Sequence, residues 1–340
     1  MNGFSIIICC YNSANKIIET LEYITKLECR GILFEVLVID NGSEDQTKNL
    51  ANSFLRNKGL DYYIIDEPAT GKANALLKGF NACRYNKMVV CDDDVLLSPD
   101  YLTVANRILE GGSHIGIVGG RGRVKQELQR PEWFEACQNA FAIGSQWSTS
   151  GDITYQKGYV WGAGSIINKR AWNDVKKMGF TKFFTGLKAN RKSMTGEDSE
   201  LSTWIVAAGY KLFYDEGLKY IHNINSERIS WKHMIEMQTG FARSHVYLTL
   251  LKDLLESKRN KSEFNFDKYL FANIKRKVGF LFSGFFSISY FKSLWISLIE
   301  KREGYIRTLV LCHNYYSCLE YVNRRRNLKK MYESIENNVI

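Results

Sequence analysis

The 340-residue sequence holds eight cysteines but no Cys-x-x-Cys pair. Cys9, Cys10 and Cys91 lie inside apolar runs, where a thiol behaves as a small hydrophobe, so a reducing compartment is expected rather than a disulfide framework. Cys312, His313 and Cys318 make the only grouping that resembles metal ligands, and its context is an apolar helix. The first residues carry no basic region, and their apolar run is too short for a secretory signal, so a cytoplasmic place is expected. No uninterrupted run is long enough to cross a bilayer. The best candidate, residues 278–299, is broken by Lys292 and several serines.

What is present is a large apolar fraction, 45%, with a net charge of +10 and a pI of about 9.1. That is enough for one large or two modest domains with a real core, and it favours anionic partners such as nucleotides or lipid surfaces. The most informative stretch is residues 87–99, KMVVCDDDVLLSP. An apolar run at 88–91 predicts a buried strand, and Asp92, Asp93 and Asp94 follow at its end. Three adjacent carboxylates repel one another, and a hard divalent cation such as Mn or Mg relieves that repulsion, completing its shell with substrate phosphates. An acidic turn on a solvated face is the alternative.

Strands are also predicted at 4–10, 35–39, 62–65 and 115–119. Helices are predicted at 15–27, from about 72 to 83, at 99–109 and at 169–178. The alternation implies an α/β fold with a mostly parallel, Rossmann-like sheet flanked by helices. Polar residues recur just after the strands: Tyr11, Asp40, Lys72 and the aspartates. Open sheets of this kind bind ligands at that edge. Alone, Asp40 reads as a helix cap and Lys72 as a solvated first-turn lysine. Together they outline a nucleotide site, with Asp40 accepting from a base or ribose, Lys72 near phosphate and a cation at the aspartates. Gly119-Gly120-Arg121-Gly122-Arg123 is like a phosphate loop but lacks a following helix, and a flexible loop is expected there.

Cys9-Cys10-Tyr11-Asn12, Asp40-Asn41-Gly42-Ser43, Gly71-Lys72 and Asp92–Asp94 occur in the order and spacing of the family 2 glycosyltransferases. Residues 4–222 resemble that family's GT-A domain, with Cys9 where proline is usual. The resemblance implies that Asp40 contacts the base of a nucleotide-sugar donor and that Asp92 and Asp94 bind the cation and diphosphate. Residues 158–168 are expected to be a strand interrupted by glycines. Within them Trp161-Gly162-Ala163-Gly164 resembles the small-residue segment beneath the donor sugar, which puts Ala163 and Gly164 in the donor site. Thr195-Gly196-Glu197-Asp198 resembles the family's acidic motif, with Asp198 as general base and Glu197 orienting it. Two short strands are predicted at 211–214 and 218–222, and by the same resemblance His222 completes the metal site. Residues 183–193 are basic and expected to be mobile.

A domain of residues 1–229 is therefore expected, followed by a helical extension, 230–340, read either as touching an anionic membrane surface through basic and aromatic residues or as a helical hairpin packed onto the first domain. The Gln-x-x-Arg-Trp motif of processive synthases is missing, since Gln238 and Arg243 have the wrong spacing. The expected reaction is metal-dependent inverting transfer of one sugar, most simply from a UDP-sugar, to a hydroxyl of a saccharide or lipid-linked saccharide. The setting that the resemblance implies is surface-polysaccharide assembly on a lipid carrier at the inner membrane face. A sugar-nucleotidyltransferase is the rival enzyme, although its glycine-rich loop is replaced here by Cys10-Tyr11-Asn12-Ser13. A basic nucleic-acid-binding protein is the non-enzymatic rival, against which the basic runs concentrate in the last third.

Overall fold

The computed structural model describes residues 1–29, 31–112, 114–125, 128–184, 195–286 and 301–339. Four strands, β1 (Phe4–Cys10), β2 (Phe34–Asp40), β3 (Tyr62–Asp66) and β4 (Lys87–Asp92), are parallel and adjacent in the order β3-β2-β1-β4. β1, β2 and β4 are buried on both faces, which explains their near-continuous apolar runs, whereas β3 is the partly exposed edge strand. Their crossovers are α1 (Ile17–Thr25), α2 (Thr47–Leu55) and α3 (Lys72–Ala82). Register fixes the edge that matters: Asp40 lies opposite both Asp66 and Cys10, and Cys9 opposite Asp92. The strand ends therefore form one rim.

Beyond β4 the sheet becomes mixed. After β5 (Val95–Leu97) and α4 (Tyr101–Glu110) come β6 (Ile115–Val124), the short helix α5 (Phe134–Cys137), β7 (Gly151–Asp152), β8 (Ile166–Asn168) and α6 (Lys169–Lys177). α7 (Glu197–Ala207) and β9 (Lys211–His222) complete the sheet layer. β8 is antiparallel to β4 and β6, whereas β6 and β9 run parallel. The parallel expectation thus holds for the first half and yields to a mixed arrangement in the second.

Three sequence expectations need correction. The Gly119–Arg123 stretch is not a loop but the middle of β6, shifted in register against β9 between Gly119 and Arg121. The glycines there let neighbours approach: a Cβ on Gly120 would collide with the Leu218 carbonyl, and one on Gly122 with that of Ala142. Residues 211–222 form one strand rather than two. Of residues 158–168, only Ile166–Asn168 is a strand; Gly164 sits at φ +67° against Tyr101 and Tyr220, so its glycine answers a turn and tight packing.

The last third is helical: α8 (Trp231–Arg259), α9 (Phe266–Phe286), α10 (Lys301–Asn323) and α11 (Arg325–Asn338). Val246, Leu250, Leu254, Tyr321 and Leu328 share one hydrophobic cluster with Ile7, Leu37 and Trp204, so these helices close one face of the sheet layer. Among the described residues no helix is long and apolar enough to cross a membrane. Part of the 278–299 run and of the basic 183–193 segment lies outside the described residues.

The chain before that basic segment is tied to α7 by a buried carboxyl. Glu200 accepts hydrogen bonds from the backbone N–H groups of Phe183, at 2.7 Å, and Phe184, at 3.3 Å. Burial pushes its pKa up to about 8, against the pull of those two bonds. A folded-state value above the unfolded one means that the native protein holds the proton longer, so this group's contribution to stability is lost as pH rises from about 4.5 to about 8. Glu200→Gln should therefore gain in melting temperature relative to wild type between pH 5 and pH 8. A pH-independent difference in thermal melts would show that Glu200 does not titrate in this window.

Candidate active site

The rim is held together by polar loop contacts before any ligand is considered. The Asn12 N–H donates to Ser43 Oγ (3.0 Å), and Asn12 Oδ1 accepts from the Glu44 N–H (2.9 Å). The Ser13 N–H donates to Thr47 Oγ1 (2.6 Å), locking the β1–α1 loop to the β2–α2 loop. Asn41 clamps the next one: its Nδ2 donates to the Glu67 and Ala69 carbonyls, each at 2.9 Å, and its Oδ1 accepts from the Gly71 N–H at 2.7 Å. Gly71, at φ +123°, then turns the chain into α3 and places Lys72 in its first turn.

The three aspartates have three different partners. Asp92 Oδ1 is 2.6 Å from Lys72 Nζ, which also lies 4.0 Å from Glu197 Oε1. Burial pulls the Lys72 ammonium down, but Asp92 and Glu197 more than offset this and hold it above the usual lysine value. Glu197 is raised, first by burial, with Asp198 adding to the effect and Lys72 opposing it. Asp93 turns away from the rim, accepting from Ser13 Oγ and pairing with Lys16 at 2.7 Å. Asp94 Oδ1 is 3.3 Å from His222 Nε2, and its Oδ2 is 3.5 Å from both Lys16 and Arg228. Burial raises the Asp94 carboxyl, but His222, Lys16 and Arg228 together hold it below the usual carboxylate range.

The expected ligand triad Asp92, Asp94 and His222 is not assembled. Among the described residues no three His, Cys, Asp or Glu side chains are grouped to hold a metal ion. Asp92 is engaged by Lys72, which was expected near phosphate, so the pair Asp94 and His222 remains. That pair does fit a cation. His222 Nδ1 lies 2.8 Å from the Phe141 carbonyl, an acceptor only, and must carry the proton there. Nε2 then faces a carboxylate with its lone pair unless a proton or a cation lies between them.

Asp198 heads α7. Its Oδ2 accepts from the Gly162 N–H (3.2 Å) and its Oδ1 from the Ser199 N–H (2.7 Å). The Trp161–Gly164 turn and the acidic motif, far apart in sequence, thus meet. Ala163 is buried and Gly164 turns its carbonyl to the Tyr101 hydroxyl, so both shape the floor of the turn. Tyr11 stands 40% exposed at the end of β1. Asp40 is only 6% exposed; its Oδ2 accepts from the Ser43 N–H (3.3 Å), while Oδ1 is buried without a partner. A buried acceptor with no partner in the chain is one that a donor group from outside could satisfy.

Two residues of this neighbourhood escaped the sequence reading. Buried Gln146 donates to the Gly120 carbonyl (3.0 Å) and accepts from the Trp161 N–H (3.0 Å) and from Lys157 Nζ (3.2 Å). Lys157 Nζ sits 4.0 Å from the Trp161 ring centroid and 4.7 Å from that of Tyr159. Burial lowers its pKa to about 7, with Asp198 acting in the opposite direction. Neither residue belongs to a periodic stretch, so no local signal marks it.

Residues 5–172 match the family model described as Glycosyl transferase family 2. This part of the chain is a family 2 glycosyltransferase domain. This glycosyltransferase is 27% identical over 145 residues to the poly-beta-1,6-N-acetyl-D-glucosamine synthase of Staphylococcus epidermidis, covering 42% of this chain and 34% of that one. It is equally similar, 27% over 147 residues, to the synthase of that name from Staphylococcus aureus. The match thus spans about a third of the length of these curated relatives. Among solved structures, S. aureus TarS 1-349 in complex with UDP-GlcNAc superposes with a TM-score of 0.55 at 15% identity, covering 97% of this chain and 91% of that one. The mannosyltransferase PcManGT from Pyrobaculum calidifontis, in complex with GDP-Man and Mn2+, gives 0.61 at 14% identity, covering 94% and 86%. These likenesses show the fold, GT-A with C-terminal helices.

The Lys72 bridge generates a test. Lys72→Ala leaves Asp92 and Glu197 facing each other across a half-buried gap without their cation, and breaking such a pair costs about 3 kcal/mol. Chemical denaturation should show a loss of that order. An unchanged midpoint would mean that the bridge contributes nothing to the fold.

Proposed function

We propose that the chain transfers one sugar, with inversion, from a UDP-sugar to a hydroxyl of a saccharide or lipid-linked saccharide. The observation that carries this reading is Asp198, held by two backbone N–H groups beside the Trp161–Gly164 turn, one residue from the Glu197 that reaches toward Lys72 and Asp92. In this reading the sugar lies between Asp198 as base and the Lys72–Asp92 rim, which takes the diphosphate. The acceptor hydroxyl gives its proton to Asp198 and its oxygen attacks the anomeric carbon. The bond to the diphosphate oxygen breaks in the same step, so configuration inverts and no covalent enzyme intermediate forms. The hydrogen bonds from Gly162 and Ser199 keep the carboxylate fixed for that transfer, and Glu197 supports it. Asp40 offers its free Oδ1 to the N–H of the base, and exposed Tyr11 is placed to cover the base.

Asp94 and His222 would hold a divalent cation, Mn or Mg, which supplies charge neutralisation for the leaving diphosphate. UDP-GlcNAc is the first donor to try, because a neighbour in fold was solved with it and the curated relatives are named for a GlcNAc polymer. A place at the inner face of the cell membrane, in surface-polysaccharide assembly, agrees with the exposed Arg324, Arg325, Arg326, Lys329 and Lys330 around α11.

Asp198→Asn should keep UDP affinity and lose about 10²–10⁴-fold in transfer rate, the range for removal of a general base. Titration of UDP beside turnover of UDP-GlcNAc tests this. Collapse of UDP binding would place Asp198 in the donor site and overturn its role. Asp40→Asn, which presents an amide N–H₂ where an acceptor is needed, should weaken UDP by about tenfold or more. Unaltered affinity would remove Asp40 from the base site.

A further inference from the structure

The arginines of β6 have no explanation in the fold. Arg121 and Arg123, two positions apart on the strand, line an open cavity of about 430 Å³ together with Arg130, Ser145 and the edge of Gly144. Arg121 is half-buried, yet among the described residues no carboxylate forms an ion pair with Arg121, Arg123 or Arg130. Two basic groups nearby are paired, by contrast: Lys125 with Glu19 at 2.6 Å and Arg228 with Asp94 at 3.5 Å. Three arginines that line one cavity without a carboxylate partner among the described residues offer planar donor forks, the geometry that matches carboxylate or phosphate oxygens.

The cavity's place says what such an anion belongs to. Val124, at the end of β6, lies opposite His222 in the sheet, so the cavity opens at the same carboxyl edge as the Asp94–His222 pair. On its other side Ser145 precedes Gln146, whose side chain binds the Gly120 carbonyl beneath Arg121 and, with its other end, the Trp161 N–H and Lys157. Trp161 in turn precedes the Gly162 N–H that holds Asp198. The cavity is therefore joined to the candidate base through one buried amide. It lies on the β6–β9 side, apart from the Asp40 and Lys72 rim assigned to the donor.

We propose that Arg121, Arg123 and Arg130 form an acceptor subsite for the anionic group of an acidic saccharide, a uronate carboxylate or a phosphodiester. This rests on the reading of Asp198 as the base at the acceptor hydroxyl. The anion anchors the acceptor chain in the arginine cavity while a neighbouring sugar presents its hydroxyl to Asp198.

The test is calorimetric titration of the full chain, with UDP saturating the donor site, against tetragalacturonate, tripolyphosphate and neutral maltotetraose. Saturable binding of an anionic probe and none of maltotetraose is expected, and the probe that binds tells carboxylate from phosphate. Arg121→Gln/Arg123→Gln should weaken that probe by about 100-fold, from two lost charged hydrogen bonds, with UDP affinity unchanged. Arg123→Gln/Arg130→Gln, which changes only exposed side chains, should act in the same direction and guards against misfolding of the first variant. Equal probe binding by wild type and variants, binding of neither anion, or loss of UDP affinity in the variants would each overturn the subsite. Failure of wild type to turn over UDP-GlcNAc or other UDP-sugars, with anion binding intact, would instead count against the glycosyl-transfer reading alone.

Discussion

Three aspartates in succession at the end of β4 are the constraint around which the rest of the structure is arranged. Adjacent carboxylates in a half-buried place cannot all stay charged without separate compensation. The fold gives each its own partner from a different element: Lys72 at the start of α3 for Asp92, Lys16 at the mouth of α1 for Asp93, and the His222 imidazole from the end of β9 for Asp94. Because these partners lie in distant parts of the chain, satisfying the charges also fixes the β1–α1 and β3–α3 loops and the last strand of the sheet. Electrostatic compensation and site assembly are one event here.

The middle residue shows how this works. Asp93 contributes nothing to the rim surface; its side chain binds Ser13 and Lys16, and its backbone carbonyl accepts from Thr20 Oγ1 at 2.8 Å. It anchors the start of α1 and so leaves Asp92 and Asp94 to point elsewhere. A like division of labour separates Glu197, tied to the Lys72 bridge, from Asp198, tied to the Gly162 turn. In both acidic stretches, neighbouring carboxylates thus take different partners.

The helices after residue 230 bear on the same site from behind. Ser244 of α8 donates to the Thr195 carbonyl, immediately before the acidic motif, and Ala242 and Val246 lie on the buried side of that helix. The N-terminus of α7, with Asp198 on it, is thus supported by packing that continues into the helical third. This is a reason for one hydrophobic cluster to run through both parts.

Much of this was legible along the chain. Apolar runs ending in polar residues located β1 to β4, and strand polarity alone places Tyr11, Asp40, Lys72 and Asp92 on one edge, because parallel strands share their carboxyl ends. The Gly119–Arg123 stretch was misread as a loop, since glycine lowers strand propensity and its cause, close approach of Leu218 and Ala142, lies elsewhere in the chain. Gln146 and Lys157 left no pattern at all, as a single buried amide or amine has no period. What the sequence by itself determined was the inventory and the edge: which side chains end the strands and in what order. Only the tertiary structure decided which acid faces which partner, that Asp92 takes Lys72 while Asp94 takes His222, and that three arginines line one cavity. Strand ends are set by a local alternation, whereas the choice of partner depends on distances between elements that the chain closes only when it is folded.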